Sequence, residues 1–187
     1  MPVLSIQNLT VRYGSKTVLD NISLTINKAE SWTIRGESGS GKTTIAKAVA
    51  GLTNYSGRAD ITYDTNSTLP KEILFVENWY QFTNLEGDRN FYYQQRYNHQ
   101  QKKDTLTVER EVELFGKEHN LDKALLNKLL ETFNYAKVLD EQLFELSSGE
   151  HKKLQLIKAL WFSPQLLISD QPYTGLDINT RANLNLL

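Results

Sequence analysis

Apolar and polar residues alternate in the first part of the chain. In the stretch NISLTIN, the apolar residues Ile22, Leu24 and Ile26 are separated by polar ones, which is the period of a half-buried strand. SWTIRG predicts a second short strand that runs into a glycine-rich turn, and TTIAKAVAGL predicts a helix that stops at Gly51. Residues 3–35 are therefore predicted to form β structure, ahead of a loop and a helix.

The pattern changes twice farther along. EILFVENWY predicts another strand, and residues 83–104 lose all periodicity, which predicts a long loop. From Val108 the pattern becomes helical, with Asn120 as a candidate N-cap for a helix in LDKALLNKLLETF. One stripe of that helix carries the apolar residues Leu121, Leu125, Leu129 and Phe133. A further helix is predicted for residues 150–162, followed by an apolar strand that ends at Asp170.

Composition narrows the class of protein. The 187 residues suit one domain with a sizeable core, and a net charge of -1 gives no basic field for nucleic acid. The sequence has no cysteine, no secretory leader pattern at Met1 and no apolar run near the ~18–20 residues of a membrane helix. We expect a cytoplasmic protein, or one peripheral on the inner face of the membrane. His99, His119 and His151 lack metal-ligand spacing and are predicted to be polar surface residues.

Residues 36–44, GESGSGKTT, match the phosphate-loop pattern G-x-x-x-x-G-K-[ST] between a predicted strand and a predicted helix. Such a loop points successive N–H groups at phosphate oxygens, and the helix adds the positive end of its dipole. Lys42 would reach the β- and γ-phosphates, and Thr43 would bind Mg²⁺ with Asp170 as second anchor. The predicted triphosphate site comprises Gly36, Glu37, Ser38, Gly39, Ser40, Gly41, Lys42, Thr43 and Thr44.

Two more motifs follow the phosphate loop. LSSGE, which is Leu146, Ser147, Ser148, Gly149 and Glu150, precedes the Asp170 strand, and Gly175, Leu176 and Asp177 come after it. Together with the phosphate loop and the aspartate strand, these motifs stand in the order found in ATP-binding cassette (ABC) nucleotide-binding domains. The chain resembles that family along its whole length, although Ser148 and Glu150 depart from the commonest signature, Leu-Ser-Gly-Gly-Gln.

The resemblance implies a fold and its division along the chain. The fold would be α/β: a P-loop NTPase core with a mostly parallel sheet and flanking helices, an N-terminal antiparallel β subdomain and an inserted helical subdomain. A single domain over residues 1–187 would have its core in 1–82 and 160–187 and its helical insert, with the signature, in about 83–159. The chain would be incomplete, because the final strands and a switch histidine do not follow Asp177.

The resemblance also implies roles for residues, with ATP and Mg²⁺ as cofactors. Tyr13 would stack on adenine. The Ser147 hydroxyl and the Gly149 N–H would cap the γ-phosphate held by a second cassette, which would be a homodimer partner, a heterodimer partner or a tandem copy. The Gly175–Leu176–Asp177 loop would contact that partner. A γ-phosphate sensor glutamine should follow the EILFV strand; Gln81 is the first choice, with Asn78, Gln94 and Gln95 as alternatives.

Gln171 stands where the family carries the glutamate that polarises water, so hydrolysis is expected to be slow. Three functions remain open from the sequence. The chain could be the ATPase subunit of a transporter whose permease is another chain, or one cassette of a soluble tandem protein related to molybdate transport. It could also be a degenerate cassette that binds ATP with little turnover. No nucleic-acid partner is expected.

Overall fold

The N-terminal alternation forms an antiparallel sheet. The structure, a computed structural model, describes residues 2–64, 73–78, 82–83, 89–90 and 106–184. Strand β1 (Pro2–Tyr13) lies between β2 (Lys16–Asn27) and β3 (Ser56–Ile61), and both pairings are antiparallel. Leu4, Ile6, Leu9 and Val11 of β1 are buried, and the residues between them are half-buried or exposed; the period of two is interrupted once, between Ile6 and Leu9, where the register shifts at Asn8. The predicted antiparallel subdomain is confirmed.

The strand predicted in SWTIRG is wrong for the described structure. Residues 31–37 carry no strand, and Trp32 and Ile34 stay 54% and 50% exposed. An extended segment becomes a strand only when a neighbouring strand hydrogen-bonds to it. The described ladders do not include this segment, so its apolar alternation is left without a sheet.

A helix and a parallel strand pair follow. Helix α1 (Lys42–Val49) begins directly after the glycine-rich loop and ends before Gly51, as predicted. Strands β4 (Ile73–Val76) and β7 (Leu166–Ser169) pair in parallel, with Val76 opposite Ser169. Parallel pairing brings the carboxyl ends of both strands to one edge. Strands β5 (Phe82–Thr83) and β6 (Arg89–Asn90) form a small antiparallel pair, so part of the predicted long loop is wrong.

The chain divides into two units, one made of Met1–Val76 and Ser163–Asp170, the other of Glu77–Phe162 and Gln171–Leu187. The core of the first unit joins the antiparallel sheet, α1 and β7; it contains Leu4, Ile6, Leu9, Val11, Leu19, Ile45, Ala48 and Val49, with Leu166 and Ile168 packed against them. The domain boundaries expected from the sequence stay a prediction.

The described part of the second unit is helical apart from the β5–β6 pair. It contains α2 (Val108–Glu118), α3 (Lys123–Thr132), α4 (Ser148–Phe162) and α5 (Ile178–Leu184), with short 3-10 turns at Ala136–Val138 and Leu143–Glu145. Helix α3 packs against α4. None of the described helices is long and apolar enough to cross a membrane.

Two predictions about α3 need correction. The N-cap is Asp122, whose carboxylate accepts the Ala124 N–H at 3.1 Å, whereas Asn120 adopts a positive φ of 52°. A left-handed residue ends the preceding helix and cannot cap the next one. Leu129 and Phe133 are buried as predicted, but Leu125, in the first turn of the helix, is 38% exposed.

Candidate functional site

The phosphate loop forms a tight turn whose geometry depends on glycine. Gly41, the residue before α1, has φ of 91°, and a Cβ there would meet Leu19 Cδ2 at 2.6 Å. A side chain at Gly36 would likewise meet Ser40 Oγ at 2.8 Å. Glycine suits Gly41 because other L-residues avoid a positive φ, and it suits Gly36 because the Ser40 side chain lies so close to its Cα. The loop therefore leads into the start of α1, where helix N–H groups are available to an anion.

Lys42 folds back over the loop. Its Nζ donates to the carbonyl oxygens of Glu37 and Gly36 at 2.6 and 2.8 Å and to Ser40 Oγ at 3.3 Å. The ammonium is thus held inside the concave face of the loop by weak neutral acceptors. A phosphate oxygen, being charged, is a stronger acceptor than these carbonyls.

Thr43 and Asp170 meet at the start of α1. The Thr43 hydroxyl donates to Asp170 Oδ2 at 2.9 Å, although the residues are 127 positions apart. Asp170 follows β7, and its N–H donates to the Val76 carbonyl at 2.9 Å, which extends the parallel pairing by one step. Mg²⁺ is coordinated by oxygen ligands such as hydroxyl and carboxylate oxygens, together with phosphate oxygens and water. Thr43 and Asp170 bring two such oxygens to the end of the phosphate loop.

Tyr13 ends β1 with its ring 53% exposed. Its hydroxyl lies 3.2 Å from Thr53 Oγ1, at hydrogen-bond distance. An exposed aromatic ring with a fixed hydroxyl is suited to stack on a base, since little side-chain freedom is lost on binding. The sequence did not point to Thr53, and no motif marks it.

The LSSGE segment begins α4. Leu146 is fully buried, while Ser147 and Ser148 are exposed. The Glu150 carboxylate accepts hydrogen bonds from the Ser147 hydroxyl at 2.6 Å and from the Ser147 N–H at 2.8 Å, and the Glu150 N–H points to Ser147 Oγ at 3.3 Å. This reciprocal arrangement is a capping box.

The Gly175–Leu176–Asp177 loop packs on the start of α4. A Cβ on Gly149 would meet the Gly175 carbonyl oxygen at 2.4 Å, and Leu176 is buried. Asp177 accepts from Lys153 Nζ at 2.9 Å, an ion pair that the sequence did not predict. The Thr180 hydroxyl and N–H, with Lys153, hold the pKa of the Asp177 carboxyl well below its ordinary value. The signature and this loop therefore form one packed segment.

Gln171 is exposed and takes a positive φ of 48°. Its side-chain Oε1 accepts from the Thr174 hydroxyl at 3.3 Å. A left-handed conformation costs an ordinary residue about 1–2 kcal/mol, so the surrounding turn must impose it. An amide at this position can hydrogen-bond a water molecule but cannot accept its proton.

Of the sensor candidates, Asn78 alone lies in the described part of the chain; Gln81, Gln94 and Gln95 lie outside it. Asn78 comes just after β4, and its Oδ1 is buried without a hydrogen bond among the described residues. A buried amide oxygen without a donor is costly, which points to a donor or ion supplied from elsewhere.

The prediction for His151 is wrong. The residue is buried, at 3% exposure, because it lies one turn from buried Leu154 on the inward face of α4. Burial lowers the pKa of its imidazole to about 4, against a smaller opposing effect of the Glu150 charge.

No group of three or more potential metal-binding His, Cys, Asp or Glu residues occurs among the described residues.

Comparison with known proteins finds similarity to ATP-binding proteins of ABC transporters. The family model described as ABC transporter matches residues 19–174. The zinc import ATP-binding protein ZnuC of Wolbachia sp. subsp. Brugia malayi is 31% identical over 96% of this chain, which spans 64% of that relative. The Fe(3+) ions import ATP-binding protein FbpC of Escherichia coli O157:H7 is 28% identical over 97% of the chain, which spans 49% of it.

Solved structures share the fold. An ATP-binding subunit of an ABC transporter matches with a TM-score of 0.70 at 22% identity, over 97% of this chain and 71% of its own. A nucleotide-free ATP-binding cassette matches with a TM-score of 0.64 at 21% identity, over 98% and 74%. These structural matches show that the chain has the P-loop α/β fold of those proteins. With the family match over most of its length, the chain belongs to the ABC transporter family of ATP-binding domains.

Proposed function

We propose that the chain binds MgATP, pairs with a second cassette around the nucleotide, and drives import through a membrane permease at the cytoplasmic face. The observation that carries the proposal is the 2.9 Å contact between Thr43 Oγ1 and Asp170 Oδ2 beside the Lys42 loop. Import is supported by the printed names of the zinc and Fe(3+) relatives.

Different residues of the first unit bind different parts of the nucleotide. Lys42 exchanges its carbonyl acceptors for phosphate oxygens, and the loop N–H groups surround them. Thr43 and Asp170 hold Mg²⁺, which when bound spreads the charge of the phosphates. Tyr13 stacks on adenine and favours it over smaller or non-aromatic groups.

The residues of the second unit serve contact between cassettes. Ser147 and Gly149 meet the γ-phosphate held by the partner, and Gly175–Leu176–Asp177 contacts the partner beside it. Asn78 is a candidate for the γ-phosphate sensor, because its buried Oδ1 lacks a donor among the described residues. Gln81, the first choice from the sequence, lies outside the described residues and stays a prediction.

A second function is favoured by Gln171: tight ATP binding with slow turnover. The amide orients water but takes no proton, and loss of a positioned base costs about 10²- to 10⁴-fold in rate. Such a cassette acts chiefly as an ATP-dependent clamp, whether in a transporter or in a tandem protein.

Titration with ATP tests the site. Lys42→Ala should remove most of the affinity, because a charge-assisted contact to a dense anion is lost. Lys47→Ala, at the far end of the same helix, removes an equal charge and serves as the control. Equal affinity in wild type and Lys42→Ala would exclude the phosphate loop as the binding site.

Membrane fractionation distinguishes a transporter subunit that binds a permease from a cassette of a soluble tandem protein. A permease-bound subunit sediments with membranes and is released by urea, whereas a cassette of a soluble tandem protein stays in the supernatant. Recovery of the intact protein wholly in the supernatant would contradict the transporter assignment and favour the tandem one.

A further inference from the structure

The start of α4 already holds an anion from its own chain. Glu150 Oε2 accepts from Ser147 Oγ at 2.6 Å and from Ser147 N at 2.8 Å. Ser147 Oγ carries a single proton, and in this structure the hydroxyl donates it in a hydrogen bond to the carboxylate. The Ser147 hydroxyl is also one of the two donors that the proposed function assigns to a phosphate, the other being the Gly149 N–H.

The carboxylate is ionised at neutral pH. Burial favours the neutral form, but hydrogen bonds from the Ser147 hydroxyl and N–H, with the nearby charges of Lys137 and Lys153, lower the pKa of Glu150 below its ordinary value. A negative charge beside the first turn of a helix is also favoured by the helix dipole.

We propose that Glu150 is a built-in competitor for the γ-phosphate: its carboxylate occupies the Ser147 donors in the open cassette and must leave them before a pair closes over ATP. This inference rests on the proposed function, in which the signature meets ATP held by a second cassette. It makes Glu150 the residue that sets the ATP concentration at which the pair closes.

Competition follows from the number of donors and from charge. The hydroxyl proton of Ser147 can be donated to one acceptor, and two anions at one helix start repel each other. A glutamine at this position would keep the reciprocal capping box, since Gln and Glu both complete it, while removing the charge.

Release of Glu150 needs only a side-chain rotation. The Tyr135 hydroxyl donates to the Glu150 carbonyl at 2.9 Å, and Tyr135 is 1% exposed, so the Glu150 backbone is fixed in the helix. The carboxylate can swing away from Ser147 without unwinding α4. The contact is therefore a reversible latch on the signature rather than part of the fold's core.

Glu145 provides a matched control. Its carboxylate accepts from the Gln142 N–H at 3.3 Å in a second capping box, at the 3-10 turn Leu143–Glu145. E145Q therefore removes the same charge from the same kind of contact in the same unit, at a carboxylate that accepts from Gln142 rather than from Ser147.

Hydrogen exchange of residues 146–150 in the intact protein, titrated with ATP and with ADP, tests the inference. We expect E150Q to lower the ATP concentration for half-maximal protection about ten-fold, while E145Q stays within about two-fold of wild type. ADP, which lacks the γ-phosphate, should give no such shift.

An E150Q titration that overlays wild type would overturn the latch. So would the absence of ATP-dependent protection in every variant when a parallel titration shows ATP bound at Lys42, because the signature would then not meet a phosphate; ATP binding itself would stand. Absence of ATP binding in wild type would overturn the proposed function, and the latch with it.

Discussion

The backbones of Gly149 and Gly175 lie in contact, so close that a Cβ on Gly149 would meet the Gly175 carbonyl oxygen at 2.4 Å. Neither side of the contact has a side chain that can rotate away. The signature at the start of α4 is therefore tied to the loop that follows Gln171, and the Lys153–Asp177 ion pair joins the same two segments.

Replacing Gly149 by alanine should destabilise the second unit. The overlap costs about 1–3 kcal/mol, as overpacking does, even though alanine favours a helix by up to about 1 kcal/mol over glycine. Urea unfolding measures the change. S148A, at the exposed neighbouring residue, is the control, and a G149A midpoint equal to that of S148A would contradict the contact.

Thr53 should position the Tyr13 ring, which we propose stacks on adenine. Removing its hydroxyl with Thr53→Val frees the Tyr13 hydroxyl and should weaken ATP binding by about two- to ten-fold, the value of one hydrogen bond. Tyr13→Phe should cost the same, and the double variant no more than either alone, since both changes remove one interaction. Additive losses would show that Thr53 acts in another way. Thr62→Val, on an exposed threonine, controls for the substitution itself.

Gln171→Glu should raise steady-state ATP hydrolysis by the intact protein by about 10²- to 10⁴-fold, because it restores a general base. ATP affinity should change little, since the phosphate contacts that we propose for Lys42 and the loop do not involve residue 171. Gln7→Glu, which adds the same charge on exposed β1, is the control. Brisk hydrolysis with Gln171 that Glu does not increase would mean that another group activates the water.

His151 should make the fold sensitive to mild acid. Its folded pKa of about 4 lies below the ordinary value of 6.5, so the unfolded chain binds the extra proton between these values. Stability should therefore be complete above about pH 6.5 and fall as the pH drops toward 4, by up to about 3 kcal/mol.

Urea unfolding at several pH values, compared with His151→Gln, isolates this effect. The variant should lose the slope between pH 7 and 5, whereas His119→Gln should keep it. The carboxylates with lowered pKa, Glu150 and Asp177, lose their contribution below their ordinary values of 4.5 and 3.8 and do not shape this window. An unchanged slope in His151→Gln would contradict a neutral buried imidazole.

Local patterns predicted the local parts of this molecule. Alternation in NISLTIN gave β2, and the glycine-rich turn followed by alanines gave the phosphate loop and α1, because each depends on residues close in the chain. The family motifs led to Thr43 and Asp170, whose proximity no local pattern contains.

Features that depend on distant neighbours could not be predicted. The apolar residues of SWTIRG predict a strand, but a strand needs a partner that sequence periodicity does not reveal. His151 was expected on the surface because its type is polar, and its burial depends on which face of α4 turns inward. The Thr53 and Lys153 contacts likewise join segments far apart in the sequence.

The contact between Thr43 and Asp170 sets an order of events during synthesis. The ribosome must add 127 residues after Thr43 before its aspartate partner exists, which takes roughly 6–25 s at common elongation rates. In that interval Lys42 can already be held by the carbonyls of its own loop. The nascent chain thus carries its phosphate loop before the Thr43–Asp170 contact, and the MgATP binding that we propose must wait until β7 has paired with β4.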